Sequence, residues 1–420
     1  MTLDISRHPC FNGSCKDSFG RIHLPVAPRC NVQCNFCNRK YDCVNESRPG
    51  VTSGILSPGQ AVEYLSVAMD RNPALTVVGI AGPGDPFADP HTSMETLRRV
   101  RARWPELLLC VATNGLGLEP HVQELAALQT THVTITISAV DPAIAGGIYT
   151  WVRAGHRALR GIEAGRLMVE RQLAALQAVK SAGMIAKVNC IVIPGINDQH
   201  VLEVAARVKA LGADILNLMG LCHVPGTPFE QVVPPCDEEI GELRTEAGAI
   251  LPQMLHCSRC RADAAGLIGG SMPEELLCCL QRVAAGPLEP EQERPYIAVA
   301  SLEGVLVNQH LGEAKHLRIF ERIGPSAFRL LEHRPTPPPG GGCERWRALS
   351  DRLHDCRALL CGGAGSSPVS TCAQSGLRVI VMEGLIEDAL KTIYGGGMAR
   401  APLRKHTCGS GCSGNGTGCS

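Results

Sequence analysis

The sequence predicts an α/β protein in two parts: a full or partial parallel β/α barrel over residues 1–285, then a smaller α/β domain. Three observations carry that expectation. Short apolar, β-rich runs alternate with amphipathic stretches about six times along the first two-thirds of the chain, the rhythm of parallel strands joined by helices. Glycine-bearing and polar motifs follow directly after several of those runs, where a barrel builds its site from loops at the C-terminal ends of strands. Near residue 286 the composition turns polar and proline-bearing, and a second strand–helix pattern begins beyond it.

Taken in order, the strands are expected at 21–28 (RIHLPVAP), 75–82 (LTVVGIAG), 107–114 (LLLCVATN), 132–138 (HVTITIS), 186–195 (AKVNCIVIPG) and 214–221 (DILNLMGL), each a short apolar run of buried-strand length. Between them, helical periodicity starts after Ser57-Pro58, an N-cap followed by proline at the first helical position. It recurs near 91–104, 121–129, 166–182, 198–211 and 236–251. Residues 286–294 read as a linker. Residues 295–398 form the second domain, with strands expected in YIAVAS, HLRIFER, ALLCGG and LRVIVMEG. RPTPPPGGG (334–342) reads as a mobile surface loop, and the Gly/Ser/Cys-rich tail, 399–420, is expected to be disordered.

The 420 residues are 45% apolar, enough for substantial cores. Lys plus Arg equals Asp plus Glu at 40 each, so no nucleic-acid or anionic-membrane footprint is expected. No basic-then-apolar signal pattern opens the chain and no run is long and apolar enough to span a bilayer, so a cytoplasmic, soluble protein is expected. Against that background 21 cysteines stand out. In a reducing compartment they point to metal ligands rather than disulfides.

The densest group is CNVQCNFCNRKYDC, residues 30–43. Cys30, Cys34 and Cys37 have CxxxCxxC spacing, and Cys43 stands apart. A zinc site takes four ligands, commonly as two pairs. Three thiolates in one tight loop instead suit a cubane 4Fe–4S cluster with one iron left open. The spacing, with Phe36 before the last cysteine, resembles the radical S-adenosylmethionine (SAM) superfamily. That resemblance implies a partial (β/α)6-type barrel, a 4Fe–4S cluster whose open iron holds SAM, and reductive cleavage of SAM. It also implies that Gly82, Gly84 and Asp85 of AGPGDP contact the amino group of SAM, with Asn114 and Ser138 facing its carboxylate and ribose.

Further ligand-type residues exceed what such an enzyme needs: His8 and Cys10 in RHPC, His23, Cys43, Cys110, and Cys257 and Cys260 in HCSRC. Together with VAPRCNVQCNFCNRKYDCVNESRPGV, NCIVIPGIND, GTPF and HCSRCRADAAGLIG, they make residues 7–270 resemble the NifB family of nitrogenase cofactor biosynthesis. The resemblance implies that two 4Fe–4S clusters are the substrate, fused with a SAM-derived carbide and an added sulfur into an eight-iron precursor. One SAM is a methyl donor; a second yields the 5′-deoxyadenosyl radical that abstracts hydrogen from that methyl. It implies Cys30, Cys34 and Cys37 for the SAM cluster. His23, Cys43 and Cys110 are assigned to one substrate cluster, and Cys10, Cys257 and Cys260 to the other, although spacing does not fix this pairing. Expected partners are an iron–sulfur cluster donor, cofactor carrier or scaffold proteins, and an electron donor.

IAVASLEGVLVNQHLGEAKHLRIFE and SGLRVIVMEGLIEDALKTIY resemble the NifX-like domain of proteins that bind cofactor precursors. That implies a ribonuclease H-like α/β fold and makes His310 either a ligand of the bound cluster or a solvated loop residue. The remaining cysteines carry no spacing argument and are read as structural. Two other readings remain open: a radical SAM maturase acting on another substrate, such as a peptide, and a non-catalytic iron–sulfur scaffold or carrier. The scaffold reading leaves AGPGDP and the repeated β/α units without a purpose.

Overall fold

A computed structural model of the chain describes residues 3–45, 50–285 and 293–394. The expected tail and most of the expected linker lie outside these residues. The chain divides into two compact units, Met1–Ala284 and Ala285–Ser420.

In the first unit the strands are β1 (Gly20–His23), β2 (Val32–Cys34), β3 (Leu75–Ile80), β4 (Leu108–Thr113), β5 (Thr130–Thr136), β6 (Tyr149–Ala154), β7 (Arg157–Leu159), β8 (Ile185–Val192), β9 (Ile215–Gly220) and β10 (Ala265–Gly266). Six of them, β1-β3-β4-β5-β8-β9, lie side by side in chain order and pair in parallel. β10 closes one edge by pairing antiparallel with β1. The two edges do not pair with each other, so the sheet is a partial barrel. The helices are α1 (Pro58–Arg71), α2 (Pro90–Arg103), α3 (Val122–Ala127), α4 (Pro142–Ile148), α5 (Gly161–Ser181), α6 (Val201–Ala210), α7 (Asp237–Gly248) and α8 (Glu274–Ala285). α1 begins with a reciprocal capping box: Ser57 Oγ accepts from Gln60 N–H (3.4 Å), and Gln60 Oε1 accepts from Ser57 N–H (2.8 Å).

Successive strand residues point to opposite faces, and here the two faces differ in kind. Ile22, Val78 and Ile80, Leu109 and Val111, Val133 and Ile135, Ala186 and Val188, and Leu216 and Leu218 belong to one buried core with helix residues such as Leu65, Leu97 and Leu176. Each large aliphatic side chain there contributes roughly 1.5–3 kcal/mol by leaving water. The alternate residues face inward. β1 stops as a strand at His23 because Pro25, two residues on, has no N–H to donate.

Residues 141–160 had no expected element, yet β6 and β7 form a hairpin there, to which β2 adds as a third strand. α5 starts at Gly161, five residues before the expected 166. It packs on α4 so closely that a Cβ on Gly165 would lie 2.0 Å from the Pro142 carbonyl oxygen.

The second unit holds β11 (Tyr296–Val299), β12 (Leu306–Val307), β13 (His316–Gly324), β14 (Ala327–Pro335), α9 (Cys343–Arg352), β15 (Cys356–Cys361), α10 (Ser366–Gln374), β16 (Arg378–Val381), β17 (Gly384–Leu385) and α11 (Ile386–Tyr394). Its main sheet runs β14-β13-β11-β15-β16, antiparallel on one side of β11 and parallel on the other. Trp346 and Leu349 of α9 join one core, and Ile386 and Leu390 of α11 join another, giving a mixed α/β domain. Of the expected loop at 334–342, residues 336–342 carry no helix or strand, and only its start is corrected. β14 runs to Pro335, and Thr336 is tied to the 314–315 backbone through both its N–H and its hydroxyl. Pro337 is buried. Pro335 ends this edge strand, a position that tolerates proline, and Pro337, Pro338 and Pro339 lie beyond it.

Gly165→Ala should destabilise the first unit by about 1–3 kcal/mol through overpacking against a backbone that cannot retreat. Chemical denaturation checks this, and an unchanged midpoint would contradict it.

Candidate functional site

Beyond β1 the chain turns into the loop carrying Cys30, crosses the hairpin as β2 with Cys34, and returns with Cys37. Cys34 is registered opposite Tyr149 of β6, so the unforeseen hairpin is what holds the middle cysteine. Cys30, Cys34, Cys37 and Cys43 line one small cavity of about 360 Å³ with Arg39, Asn45, Gly84, Asp85, Ala112 and Asn114. The amides of Asn114 and Asn45 lie 3.8 Å from the Cys30 and Cys34 sulfurs. Burial pushes the Cys30 thiol up to about 11, with the Asp85 charge adding to it. Cys34 is driven well above its ordinary range by burial and by Cys37 and Cys30. Burial also raises Cys37, against the opposing influence of Arg39. Three thiols, two buried and Cys30 half-buried, repel one another as thiolates and want a cationic partner, and this donor set fits a cluster's irons.

The AGPGDP loop packs against that cysteine loop. Gly84 N–H donates to the Ala27 carbonyl (2.6 Å) and Asp85 N–H to the Arg29 carbonyl (2.7 Å). A Cβ on Gly84 would lie 2.0 Å from the Arg29 oxygen. Glycine is therefore demanded at Gly84 by the chain's own backbone, where the sequence suggested close approach of a ligand. Gly82 has φ +141°, a conformation that favours glycine. Asp85 is buried, and burial raises its pKa although three donors hold it: Phe87 N–H (2.9 Å), Thr113 Oγ (2.8 Å) and Asn114 N–H (2.7 Å). It thereby joins the loops after β3 and β4. Ser138 lines neither this cavity nor the larger one next to it; its Oγ accepts from Ile191 N–H (3.1 Å).

The inward strand face opens onto a second cavity of about 660 Å³. Cys10, His23, Cys110, Cys257 and Cys260 all line it, gathered from four separate stretches of chain. Ala112, two residues beyond Cys110 on β4, lines both cavities. His23 Nδ1 lies 3.1 Å from the Arg261 carbonyl, so it donates there and turns an Nε2 lone pair away from that bond. This is the tautomer of a metal-binding histidine with a backbone carbonyl as its outer partner. The Cys257–Cys260 loop is held by Asp263, fully buried, which accepts from Arg261 Nε (2.7 Å) and Ser53 N–H (2.9 Å). Among the described residues no three His, Cys, Asp or Glu side chains converge to hold a single metal ion. Ligands of a cluster approach different irons and need no common point.

Arg21 and Lys187, both buried, also line this cavity, and none of its lining residues is acidic. Arg21 donates to Cys260 Sγ (2.7 Å) and to the Leu267 carbonyl (2.8 Å). A pocket with buried cations and sulfur ligands suits an anionic occupant. Sequence reasoning missed both cations. Their signal was the two-residue period: Arg21 precedes His23 by two, and Lys187 precedes the cavity-lining Asn189 by two.

Six substrate-ligand residues were expected, and five share the larger cavity. Cys43 lies in the triad's cavity, its N–H donating to the Pro83 carbonyl (2.8 Å). In the second unit His310 bridges to Gly363, where a Cβ would lie 2.7 Å from its ring. Its Nδ1 accepts from Gly312 N–H (3.1 Å), and the side chain is half-buried.

The "Radical SAM superfamily" profile matches residues 24–208, and the "Dinitrogenase iron-molybdenum cofactor" profile matches residues 293–396. The chain is 52% identical over 423 residues to the FeMo cofactor biosynthesis protein NifB of Chlorobaculum tepidum, covering 100% of both chains. It is 36% identical to the protein of the same name from Klebsiella pneumoniae, over 89% of this chain and 86% of that one. A crystal structure of Streptococcus suis SuiB bound to S-adenosylmethionine aligns at a TM-score of 0.42 and 16% identity, over 56% of this chain and 50% of that one, too distant to carry an argument. No helix among the described residues is long and apolar enough to cross a membrane.

His132, fully buried against His8 and Phe11 (ring centroids 4.2 and 4.4 Å away), is pushed from 6.5 down to about 3 by burial, with the Lys187 charge adding to it. Its folded pKa lies below its unfolded one, so protonation favours the unfolded chain. The stability is fully present above pH 6.5 and is lost at about 1.4 kcal/mol per pH unit as pH falls toward 3. Urea denaturation of the metal-free protein should show this loss, and His132→Phe should remove its share, leaving that of His8 and His23, which burial also lowers. An unchanged slope would contradict the assignment.

Proposed function

Because the chain belongs to the NifB family of radical SAM proteins in FeMo cofactor biosynthesis, we propose that it fuses two 4Fe–4S clusters, with a SAM-derived carbide and an extra sulfur, into the eight-iron precursor of the nitrogenase cofactor. The observation that supports this most is the gathering of Cys10, His23, Cys110, Cys257 and Cys260 around one cavity that meets the triad's cavity at Ala112. A cofactor needed only for catalysis would not call for a second, larger, sulfur-lined chamber beside it.

In this reading Cys30, Cys34 and Cys37 hold the resident cluster by three irons. When bound, that cluster supplies the electron for reductive cleavage of SAM. Gly82, Gly84, Asp85 and Asn114 shape the SAM side of the cavity, with Asp85 acting mainly by fixing the Thr113–Asn114 turn. Ser138 supports the neighbouring strand end through Ile191. His23 and Cys110 hold one substrate cluster, and Cys10, Cys257 and Cys260 the other. Three or fewer protein ligands per cluster suit clusters that must fuse and leave. Cys43, on the triad's side of Ala112, completes the set that holds the first substrate cluster nearest to SAM. Arg21 and Lys187 offset the negative charge of clusters and thiolates.

The reaction consumes clusters and electrons that this chain does not regenerate. A cluster donor, an electron donor and a carrier for the product are therefore its partners in this proposal. The second unit, which matches a cofactor-binding family, is assigned to holding the product, with His310 as its candidate ligand.

Anaerobic reconstitution followed by SAM and dithionite should give both S-adenosylhomocysteine and 5′-deoxyadenosine. Deoxyadenosine alone would remove the methyl-transfer step, and neither product would leave a scaffold. Cys43→Ala should lower iron per chain while SAM cleavage continues. Loss of all SAM chemistry in that variant would instead place Cys43 with the triad.

A further inference from the structure

The larger cavity contains a second histidine, His8, in the same RHPC segment as Cys10. It is 1% exposed and lines the cavity with Cys10, Cys257 and Cys260. Its residue type and neighbourhood suggest another iron ligand. The hydrogen bonding argues otherwise. The Cys10 backbone N–H donates to His8 Nδ1 at 3.3 Å, so Nδ1 carries a lone pair and the ring proton sits on Nε2. His23 is the opposite case: its Nδ1 faces the Arg261 carbonyl at 3.1 Å and carries the proton, leaving Nε2 free to ligate. The two imidazoles of one cavity are thus opposite tautomers, one built to accept a metal and one built to donate a proton bond.

His8 Nε2 is buried and has no hydrogen-bond partner in the protein. A buried, unsatisfied donor costs about 1–3 kcal/mol, a cost removed when something in the cavity accepts from it. The ring cannot swing away easily. Phe11 packs edge-on at 4.7 Å and His132 at 4.2 Å, and the Nδ1 bond fixes its rotation. The same segment supplies a sulfur ligand, Cys10, which lines the cavity with Cys257 and Cys260 and interacts with both.

We propose that His8 is a positioning residue, whose Nε2–H donates to a sulfur of the substrate cluster held by Cys10, Cys257 and Cys260, and that it does not bind iron. The proposal rests on the reading of this cavity as a substrate-cluster site. A hydrogen bond to a cluster sulfur draws off electron density and raises the reduction potential. The bond also orients the cluster without adding a ligand that must later be broken.

The test uses the full chain, anaerobically reconstituted, with His8→Leu and His8→Gln. Glutamine can return an N–H near the Nε2 position. Three readouts are taken: iron per chain, the potential and electron paramagnetic resonance spectrum of each reducible cluster, and SAM cleavage as the sign of an intact barrel. His8→Leu should keep the wild-type iron content and shift one cluster to lower potential, leaving the triad's cluster unmoved. His8→Gln should restore the potential. Loss of one cluster's iron in His8→Leu with SAM cleavage intact would make His8 a ligand and overturn the proposal. So would a potential and spectrum unchanged from wild type, or a Leu variant that fails to fold while His8→Gln keeps the wild-type iron but not its potential. Wild-type protein holding only the triad's iron would instead defeat the underlying reading of the cavity.

Discussion

The two-residue period of six parallel strands is the constraint on which the molecule depends. One face of each strand is apolar and packs under helices; the other turns inward. A closed barrel of this kind ordinarily fills its interior with branched aliphatic side chains. Here the inward positions on four strands are Arg21 and His23, Val77 and Gly79, Cys110 and Ala112, and Lys187 and Asn189, with Val77 the one branched aliphatic among them. The stabilisation forgone inside is supplied by the outer core, where strand residues such as Ile22, Leu109 and Val188 are fully buried. That division lets the protein keep an open, charged chamber without losing its fold.

Buried charge decides what the chamber accepts. Two buried cations, Arg21 and Lys187, line it and no lining residue is acidic, which favours an anionic occupant. In the proposed function, sulfide-rich clusters with thiolate ligands are that occupant. At the triad burial raises all three thiols, so an iron that binds there must displace their protons. The chambers meet at Ala112, a small residue between Cys110 on one side and Thr113 and Asn114 on the other. Chemistry that begins at SAM and ends on a cluster needs that adjacency.

Much of this was legible in the sequence, and the omissions have physical reasons. All six barrel strands were readable as short apolar runs, because the face packed under helices is apolar in every one and few inward residues are charged. That Cys30, Cys34 and Cys37 come together at one cavity was readable because they are close in sequence. The β6–β7 hairpin was not, although YTWVRAGHRAL alternates, since only pairing with β2 gives it a role. Arg21 and Lys187 were absorbed into their strands because one charge in an apolar run does not reveal which face it occupies. Gly84 was read as room for a ligand, while the space it provides is taken by the Arg29 carbonyl. Cys43 was separated from the triad by spacing, yet the structure returns it to the triad's cavity. Register across distant segments decided these cases, and one-dimensional spacing does not contain it.

The central claim is that the larger cavity holds metal clusters as substrate and receives carbon from SAM. The most direct measurement follows the label from methyl-labelled SAM after turnover and extraction of the metal cluster. The account predicts labelled carbon inside the extracted eight-iron cluster, one carbon for each. Label confined to small SAM products or to a peptide, with the clusters unlabelled and unfused, would contradict it.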